Sequence, residues 1–169
     1  MLFRRVLTAA VIASTAILGT SACSMMSPIA SLKEYAPSDG TQADLGSVKV
    51  RNVMILTNSK NPNVYGLIGS FVNSTNKDQI VVLGYDNSPS QQIKIKAYSV
   101  YNLGHSGTKM ILLSLPKLKE PASWAGKIVK MNLASATEDV LPVDINVPVF
   151  DEFLPGYQDL INALPSGNN

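Results

Sequence analysis

The sequence is poor in the residues that most catalytic and metal sites use. Its 169 residues include one cysteine and one histidine, and only 15% of them are charged. A single cysteine excludes an internal disulfide. A single histidine excludes zinc sites built from several histidines. Phosphate-binding loops, G-x-S-x-G elbows and paired-cysteine motifs are absent as well.

The acidic residues are scattered along the chain. The closest pairs, Glu138-Asp139 and Asp151-Glu152, are adjacent in sequence. Neighbouring residues of an extended chain point in opposite directions, so neither pair brings two carboxyl groups together over a substrate. The sequence therefore predicts a protein that is not an enzyme and that needs no cofactor.

No segment is long and apolar enough to cross a membrane as a helix. The apolar run from Val6 to Leu18 has 13 residues, whereas a spanning helix needs about 20. Arg4 and Arg5 precede this run, and small residues follow it up to Cys23. This order predicts a cleavable signal peptide over residues 1–22.

The lone cysteine lies at the end of that signal. Ser21, Ala22, Cys23 and Ser24 resemble a bacterial lipobox, although Thr20 stands where the pattern prefers an aliphatic residue. The resemblance implies diacylglycerol on the thiol and an acyl chain on the new N-terminus. We therefore expect an exported protein anchored to the outer face of the cell membrane. The alternative is ordinary cleavage after Ala22, which would release a soluble protein with a free thiol.

The positive charge of the chain belongs to the signal peptide. Without residues 1–22 the chain keeps 12 Lys and Arg against 12 Asp and Glu, a formal net charge of zero. Arg51 is then the only arginine. A neutral chain of this kind gives no support for nucleic-acid binding.

Behind the signal, residues 23–45 have no sustained periodicity and predict a flexible tether. From residue 46 to 149, short apolar runs alternate with turn residues, which predicts a single all-β domain, an Ig-like or cupredoxin-like sandwich. Seven strands are expected, over residues 47–57, 64–73, 79–85, 92–101, 108–115, 126–134 and 140–149.

Three segments are candidates for an interaction surface: the turn around His105, a lysine face and the C-terminal tail. Strict alternation in Ile93-Lys94-Ile95-Lys96 predicts a buried isoleucine face and an exposed lysine face. In the tail, residues 150–169, Pro155 stands where a short helix would start. Four apolar residues of the tail follow helical spacing: Tyr157, Leu160, Ile161 and Leu164. This stripe either packs on the sandwich or is offered to a partner.

The strand order resembles the periplasmic copper chaperones of the PCuAC type. The resemblance is carried by residues 107–115, 125–133 and 143–149, and more loosely by 48–53 and 65–73. It implies a copper site built from His and Met, including a His-x-Met pair. Lys109 and Ile111 occupy the positions of that pair, and the family's earlier histidine falls near Lys94 or Lys96. A protonated amine and an alkyl group cannot ligate Cu(I), so this site is not carried over.

The chain more closely resembles lipidated relatives without these ligands, the actinobacterial lipoproteins of the LpqE type, through the cysteine, the tether and the sandwich. This resemblance implies no defined activity. The function expected is therefore a non-enzymatic interaction or structural module of the cell envelope, with another envelope protein as partner. A small apolar ligand between the sheets is a further alternative.

A copper-binding protein with a rearranged site is the second expectation. It would combine Met54, His105 and Met110 in one site. His105 lies among glycines and a serine, which is typical of a surface turn. The two methionines are equally typical of gap-filling core residues.

Overall fold

The chain divides into two compact units, Met1–Tyr35 and Ala36–Asn169. A computed structural model describes these residues: Arg4, Val6, 38–85, 88–105, 108–116, 118 and 123–165. The predicted signal peptide, apart from Arg4 and Val6, and the predicted lipid attachment point Cys23 lie outside the described residues. Among the described residues, no helix is both long and apolar enough to cross a membrane.

The second unit consists of two β-sheets that share one core. Sheet A contains β1 (Thr41–Leu45), β2 (Val48–Asn58), β3 (Asn61–Asn73), β6 (Ser99–Leu103) and β7 (Ile111–Leu113). Sheet B contains β4 (Gln79–Tyr85), β5 (Gln91–Ile95), β8 (Ile128–Ser135) and β9 (Val143–Phe150), and a short helix α1 (Gln158–Asn162) follows. The predicted all-β sandwich is confirmed.

The order of strands explains how the two sheets are held together. Sheet B runs β5-β4-β8-β9 with antiparallel neighbours, and in sheet A β2 pairs with β1 and β3, while β3 also pairs with β6 and β7. The sheets are joined by a short parallel contact between β2 and β9, Ile55 with Val149 and Leu56 with Phe150. The sandwich is therefore continuous along this side.

Alternation along the strands fills the space between the sheets. In β4 every second residue from Gln79 to Tyr85 is buried, because successive side chains of a strand point to opposite faces. Leu67 and Phe71 from sheet A meet Leu83 and Leu133 from sheet B in one core. Each such side chain contributes about 1.5–3 kcal/mol on burial, so this core dominates the stability.

The predicted strand 92–101 is wrong as a single strand, because the chain changes sheets within it. It leaves sheet B after Ile95 and enters sheet A at Ser99, with Tyr98 between them at φ 49°. The buried amide of Asn73 holds this crossing by donating to the carbonyl oxygens of Lys77 at 2.7 Å and Lys96 at 3.0 Å. Side-chain alternation continues up to the crossing, so periodicity gives no sign of it.

The first strand lies inside the segment predicted as tether. β1 pairs with β2 from Thr41 opposite Val53 to Leu45 opposite Val48, and Leu45 is buried. Its sequence, Thr-Gln-Ala-Asp-Leu, contains little apolar alternation, which is why it escapes a pattern-based prediction. Gly46 at φ 58° forms the tight turn into β2.

A β-bulge in β2 sets which side chains face the core. Arg51 pairs with Ser70 and Met54 with Ile68, so β2 has one residue more than β3 between these pairs. Asn52 takes the extra position at φ 52°, in the left-handed region that asparagine tolerates. Gly69 is required opposite it, since a Cβ there would lie 2.9 Å from Val53 Cγ2.

The same asparagine joins the two ends of the domain. The Asn52 Oδ1 accepts a hydrogen bond from the Gly40 backbone N–H at 3.0 Å, and its Nδ2 donates to the Tyr157 hydroxyl at 3.1 Å. The segment at Gly40, where the β domain begins, and the C-terminal tail at Tyr157 therefore meet at the bulge.

The tail covers the outer face of sheet A. Ile161 and Leu164 are buried in a second apolar cluster with Met54, Leu56 and Ile68. Tyr157 and Leu160 are half-buried at the edge of this cluster. The apolar stripe of the tail is thus packed on the sandwich, and Ile161 and Leu164 are not available to a partner in this arrangement. The helix begins at Gln158, three residues after the start expected at Pro155.

We predict that Ile161→Ala lowers the free energy of unfolding of the protein by about 2–4 kcal/mol, because it leaves a cavity under the tail. Urea denaturation followed by circular dichroism measures this loss. Leu160→Ala is the matched control and should cost less, since Leu160 is only half-buried. Equal losses for the two variants would contradict the packing described for the tail.

Candidate functional site

The two sheets differ in what lies on their outer faces. On sheet A the outward side chains of Met54, Leu56 and Ile68 are buried under the tail. On sheet B every outward residue of β4, β5, β8 and β9 is exposed or half-buried. The outer face of sheet B is therefore the face that remains open to other molecules.

A hollow of about 480 Å³, lined by both polar and apolar groups, lies on this open face, over Gly84 of β4. Gly84 is opposite Asn132, which is in turn opposite Asp144, so the three residues form one row across the sheet. Lys130 and Asn146 face each other in the next row. Asn132 Nδ2 donates to Asp144 Oδ1 at 2.7 Å, which fixes both side chains in the floor of the hollow.

The two predicted lysines lie at the edge of the same face. β5 is the outermost strand of sheet B, and Lys94 and Lys96 are both exposed. Lys94 Nζ lies 3.0 Å from Asp78 Oδ2, and this hydrogen bond, together with the Ala97 backbone N–H, lowers the pKa of Asp78. Lys96 makes no ion pair within the described part of the chain. This lysine edge, Lys94 and Lys96, therefore keeps an excess of positive charge.

Glu138 and Glu152, each from one of the adjacent acidic pairs in the sequence, hold loops in place through hydrogen bonds. Glu138 accepts hydrogen bonds from the Ser47 hydroxyl, the Ser47 N–H at 2.9 Å and Gln79 Nε2 at 2.9 Å, and these donors lower its pKa, Ser47 most strongly. Glu152 accepts from the hydroxyl and N–H of Ser59, which lower its pKa in the same way. Carboxyl groups held ionised in this manner are poor proton donors at neutral pH.

The candidate copper ligands do not converge. Met54 is completely buried in β2, and His105 is exposed in the turn after β6. Met110 continues the register of β7 opposite Ile68, which itself pairs with Met54. Extending the β3–β7 register by one residue places Ile68 between the two methionines, and Met110 packs against the apolar cluster that contains Met54. The Met110 sulfur lies over Gly66, where a Cβ would approach it to 2.9 Å. Met54 and Met110 therefore pack as gap-filling apolar residues, while His105 is exposed in its turn.

The positions that correspond to the His-x-Met pair also lack a common site. Lys109 is exposed and lines a groove of about 320 Å³ beside Leu112 and Leu160, between β7 and the tail. Ile111 packs against the main core on the other side of the sheet. Among the described residues, no group of three or more His, Cys, Asp and Glu side chains could hold a metal ion.

Searches with protein-family models and against curated proteins give no match. The solved structures that are similar to the chain include three PCuAC domains. A copper-bound PCuAC domain from PmoF2 has 15% identity and a TM-score of 0.46, covering 66% of this chain and 98% of its own. The apo PCuAC domain from PmoF1 has 14% identity and a TM-score of 0.49, covering 66% and 99%. The apo PmoF2 domain has 14% identity and a TM-score of 0.48, covering 75% and 100%. Similarity at this level carries no conclusion about ligands or activity.

Sequence reasoning found the lysine edge but missed the hollow. The signal was present, because Gly84 stands inside an otherwise apolar alternating strand, and a glycine there often marks the close approach of another molecule. Asn132, Asp144 and Asn146 belong to two different strands, and only the pairing of β8 with β9 brings them together.

We predict that Glu138→Gln destabilises the mature chain by about 1 kcal/mol at pH 7, because hydrogen bonds from Ser47 and Gln79 favour the ionised carboxylate. The folded-state pKa is below the ordinary value of 4.5, so this contribution is present above that pH and is lost as the pH falls through the folded-state pKa. Thermal unfolding from pH 7 to pH 3 should show the difference shrinking. Asp139→Asn is the control on an exposed neighbour, and a difference that grew on acidification would contradict the assignment.

Proposed function

We propose that this chain is an exported lipoprotein, anchored through Cys23, whose β-sandwich is a non-enzymatic binding module for another protein of the cell envelope. The anchor is supported by the sequence alone, through Arg4, Arg5, the apolar run and the small residues before Cys23. In this proposal the chain belongs with the LpqE-type lipoproteins that its sequence resembles.

The difference between the two outer faces carries the proposal. The chain covers one face of its sandwich with its own tail and leaves the other open. The open face ends in an edge strand, β5, whose outer backbone groups are a template for a further strand. An exposed face of this kind in an anchored protein supports a role in binding.

The charge of the lysine edge defines the partner. Lys94 is 66% exposed and pairs with Asp78, while Lys96 makes no ion pair among the described residues, although its charge also acts on Asp78. Charges at the rim of an interface mainly steer association and exclude unsuitable partners. A complementary partner therefore presents acidic side chains to β5.

The arrangement favours binding over catalysis. The hydrogen-bonded carboxylates Glu138 and Glu152 hold loops in place, and His105 lies exposed in a turn. A copper-carrying function is not favoured, since Ile68 stands between Met54 and Met110. We therefore assign the proposed binding function to the outer face of sheet B.

The anchor predicts the cell fraction in which the protein is found. The wild-type chain should sediment with membranes, because each buried acyl methylene contributes about 0.8 kcal/mol. Cys23→Ala should lose both membrane association and the acyl mass on the N-terminal peptide, whereas Ser24→Ala should keep both. A wild-type protein with a free thiol in the soluble exported fraction would instead establish ordinary cleavage after Ala22.

The lysine edge predicts a charge-dependent partner. A photo-crosslinking residue at Gln92, on the exposed side of β5, should give one discrete adduct in intact cells. The double variant Lys94→Glu and Lys96→Glu should reduce its yield by about tenfold, through repulsion of an acidic partner. Loss of the exposed Lys94–Asp78 ion pair should leave the fold intact.

Two controls use Lys60, in the turn between β2 and β3. One places the photo-crosslinking residue at position 60, and the other combines the probe at Gln92 with the charge reversal Lys60→Glu. The adduct protein, identified by mass spectrometry, should have an acidic surface. An adduct that is insensitive to the reversal at β5, or equally sensitive to Lys60→Glu, would contradict the proposed interface.

A further inference from the structure

We infer that the hollow over Gly84 binds one sugar unit of a neutral saccharide, held through its hydroxyl groups by Asn132, Asp144, Asn146 and Lys130. This inference goes beyond the protein partner proposed for the lysine edge and does not depend on it. It rests on an unexplained glycine and on polar side chains whose hydrogen-bonding capacity the fold leaves unused.

The glycine is not explained by the needs of the chain itself. At Gly69 and Gly66 a Cβ would collide with Val53 and with Met110 and Leu164, so packing requires glycine there. At Gly84 a Cβ would meet nothing within 4 Å, and no left-handed φ demands glycine either. Glycine in the interior of a strand is unfavourable compared with alanine. The space over Gly84 is therefore open to a molecule from outside.

The polar groups around this space suit hydroxyl groups. Asn132 already donates to Asp144, which leaves the second oxygen of Asp144 and the Oδ1 of Asn132 as acceptors. The side chains of Lys130 and Asn146 supply donors, and neither has a hydrogen-bond or ion-pair partner among the described residues. A hydroxyl group both donates and accepts, so it can satisfy both kinds of group at once.

The dimensions fit a single ring. Neighbouring strands lie about 4.8 Å apart, and residues two apart on one strand face are separated by about 6.8 Å. The four side chains therefore form a patch beside Gly84 that is close in size to the face of one pyranose. The hollow of about 480 Å³ accommodates such a ring without any movement of the sheet.

Other ligand classes match the hollow less well. Among the described residues that line the hollow, a phosphate would meet only one cation, Lys130, and would be repelled by Asp144. A divalent cation would find one carboxylate in this described lining, whereas calcium takes six or more oxygen ligands. An apolar ligand would have to displace water from these charged and amide groups without replacing their hydrogen bonds. Without an aromatic side chain to stack on the ring, we expect weak binding, with a Kd of about 1 mM.

The test uses NMR of the mature chain with isotope-labelled side-chain amides. The probes are neutral oligosaccharides of glucose, mannose, galactose and arabinose, with inorganic phosphate as a comparison. At least one oligosaccharide should shift the amide signals of Asn132 and Asn146 in a saturable way. Gly84→Leu, which fills the hollow, should weaken this binding by tenfold or more, while Val82→Leu on the same face should not.

A second variant protects the test against loss of folding. Asn146→Ala removes an exposed side chain that has no partner in the fold, and it should reduce binding without altering the melting temperature. The inference is overturned if no oligosaccharide shifts these signals, if phosphate alone does so, or if both variants bind as the wild type does. Crosslinking at Gln92 should persist in Gly84→Leu, so failure at the hollow is distinguishable from failure of the lysine edge.

Discussion

The bulge at Asn52 is the constraint on which both apolar clusters depend. Before it, Val48 and Val50 point into the main core, and after it the inward positions become Val53 and Ile55. If Asn52 were part of a regular pleat instead of a bulge, every later side chain of β2 would exchange faces, because strands have a period of two. Met54 and Leu56 would then enter the main core, and the tail would lose the surface on which it packs.

The bulge also gives the molecule its asymmetry. Its asparagine side chain binds the Gly40 backbone and the Tyr157 hydroxyl, so it fixes the entry of the chain and the tail at one place on sheet A. Sheet A is consequently closed by parts of the same polypeptide. On sheet B, among the described residues, the tail cluster reaches only Phe150 at the end of β9, and both of the surfaces that we consider for binding lie on the rest of this sheet.

The sequence predicted the class of fold because alternation between apolar and polar residues is a local property. It could not predict the change of sheet at Tyr98, since the alternation in Ile93 to Lys96 runs into the crossing without interruption. It also could not predict β1, whose few apolar residues are stabilised by pairing with β2. Pairing between distant segments decides both features.

In the candidate site too, features set by a single strand could be predicted from the sequence, whereas features that need distant segments side by side could not. Exposure of Lys94 and Lys96 follows from their own strand, so the sequence indicated it correctly. The tail offered two interpretations, and only the apolar patch of Met54, Leu56 and Ile68 decides between them. The hollow requires β4, β8 and β9 side by side, and Gly84 alone gives only a hint of it.

The position of Asn73 has a consequence for producing this protein in other hosts. Asn73-Ser74-Thr75 is an acceptor sequence for N-glycosylation, which acts on chains entering the secretory pathway of eukaryotic cells. In the folded domain the amide nitrogen of Asn73 is buried and donates to the carbonyl oxygens of Lys77 and Lys96. A glycan attached to that nitrogen before folding would not fit in this buried position between Lys77 and Lys96, so a eukaryotic secretion host would yield misfolded protein unless this site were altered.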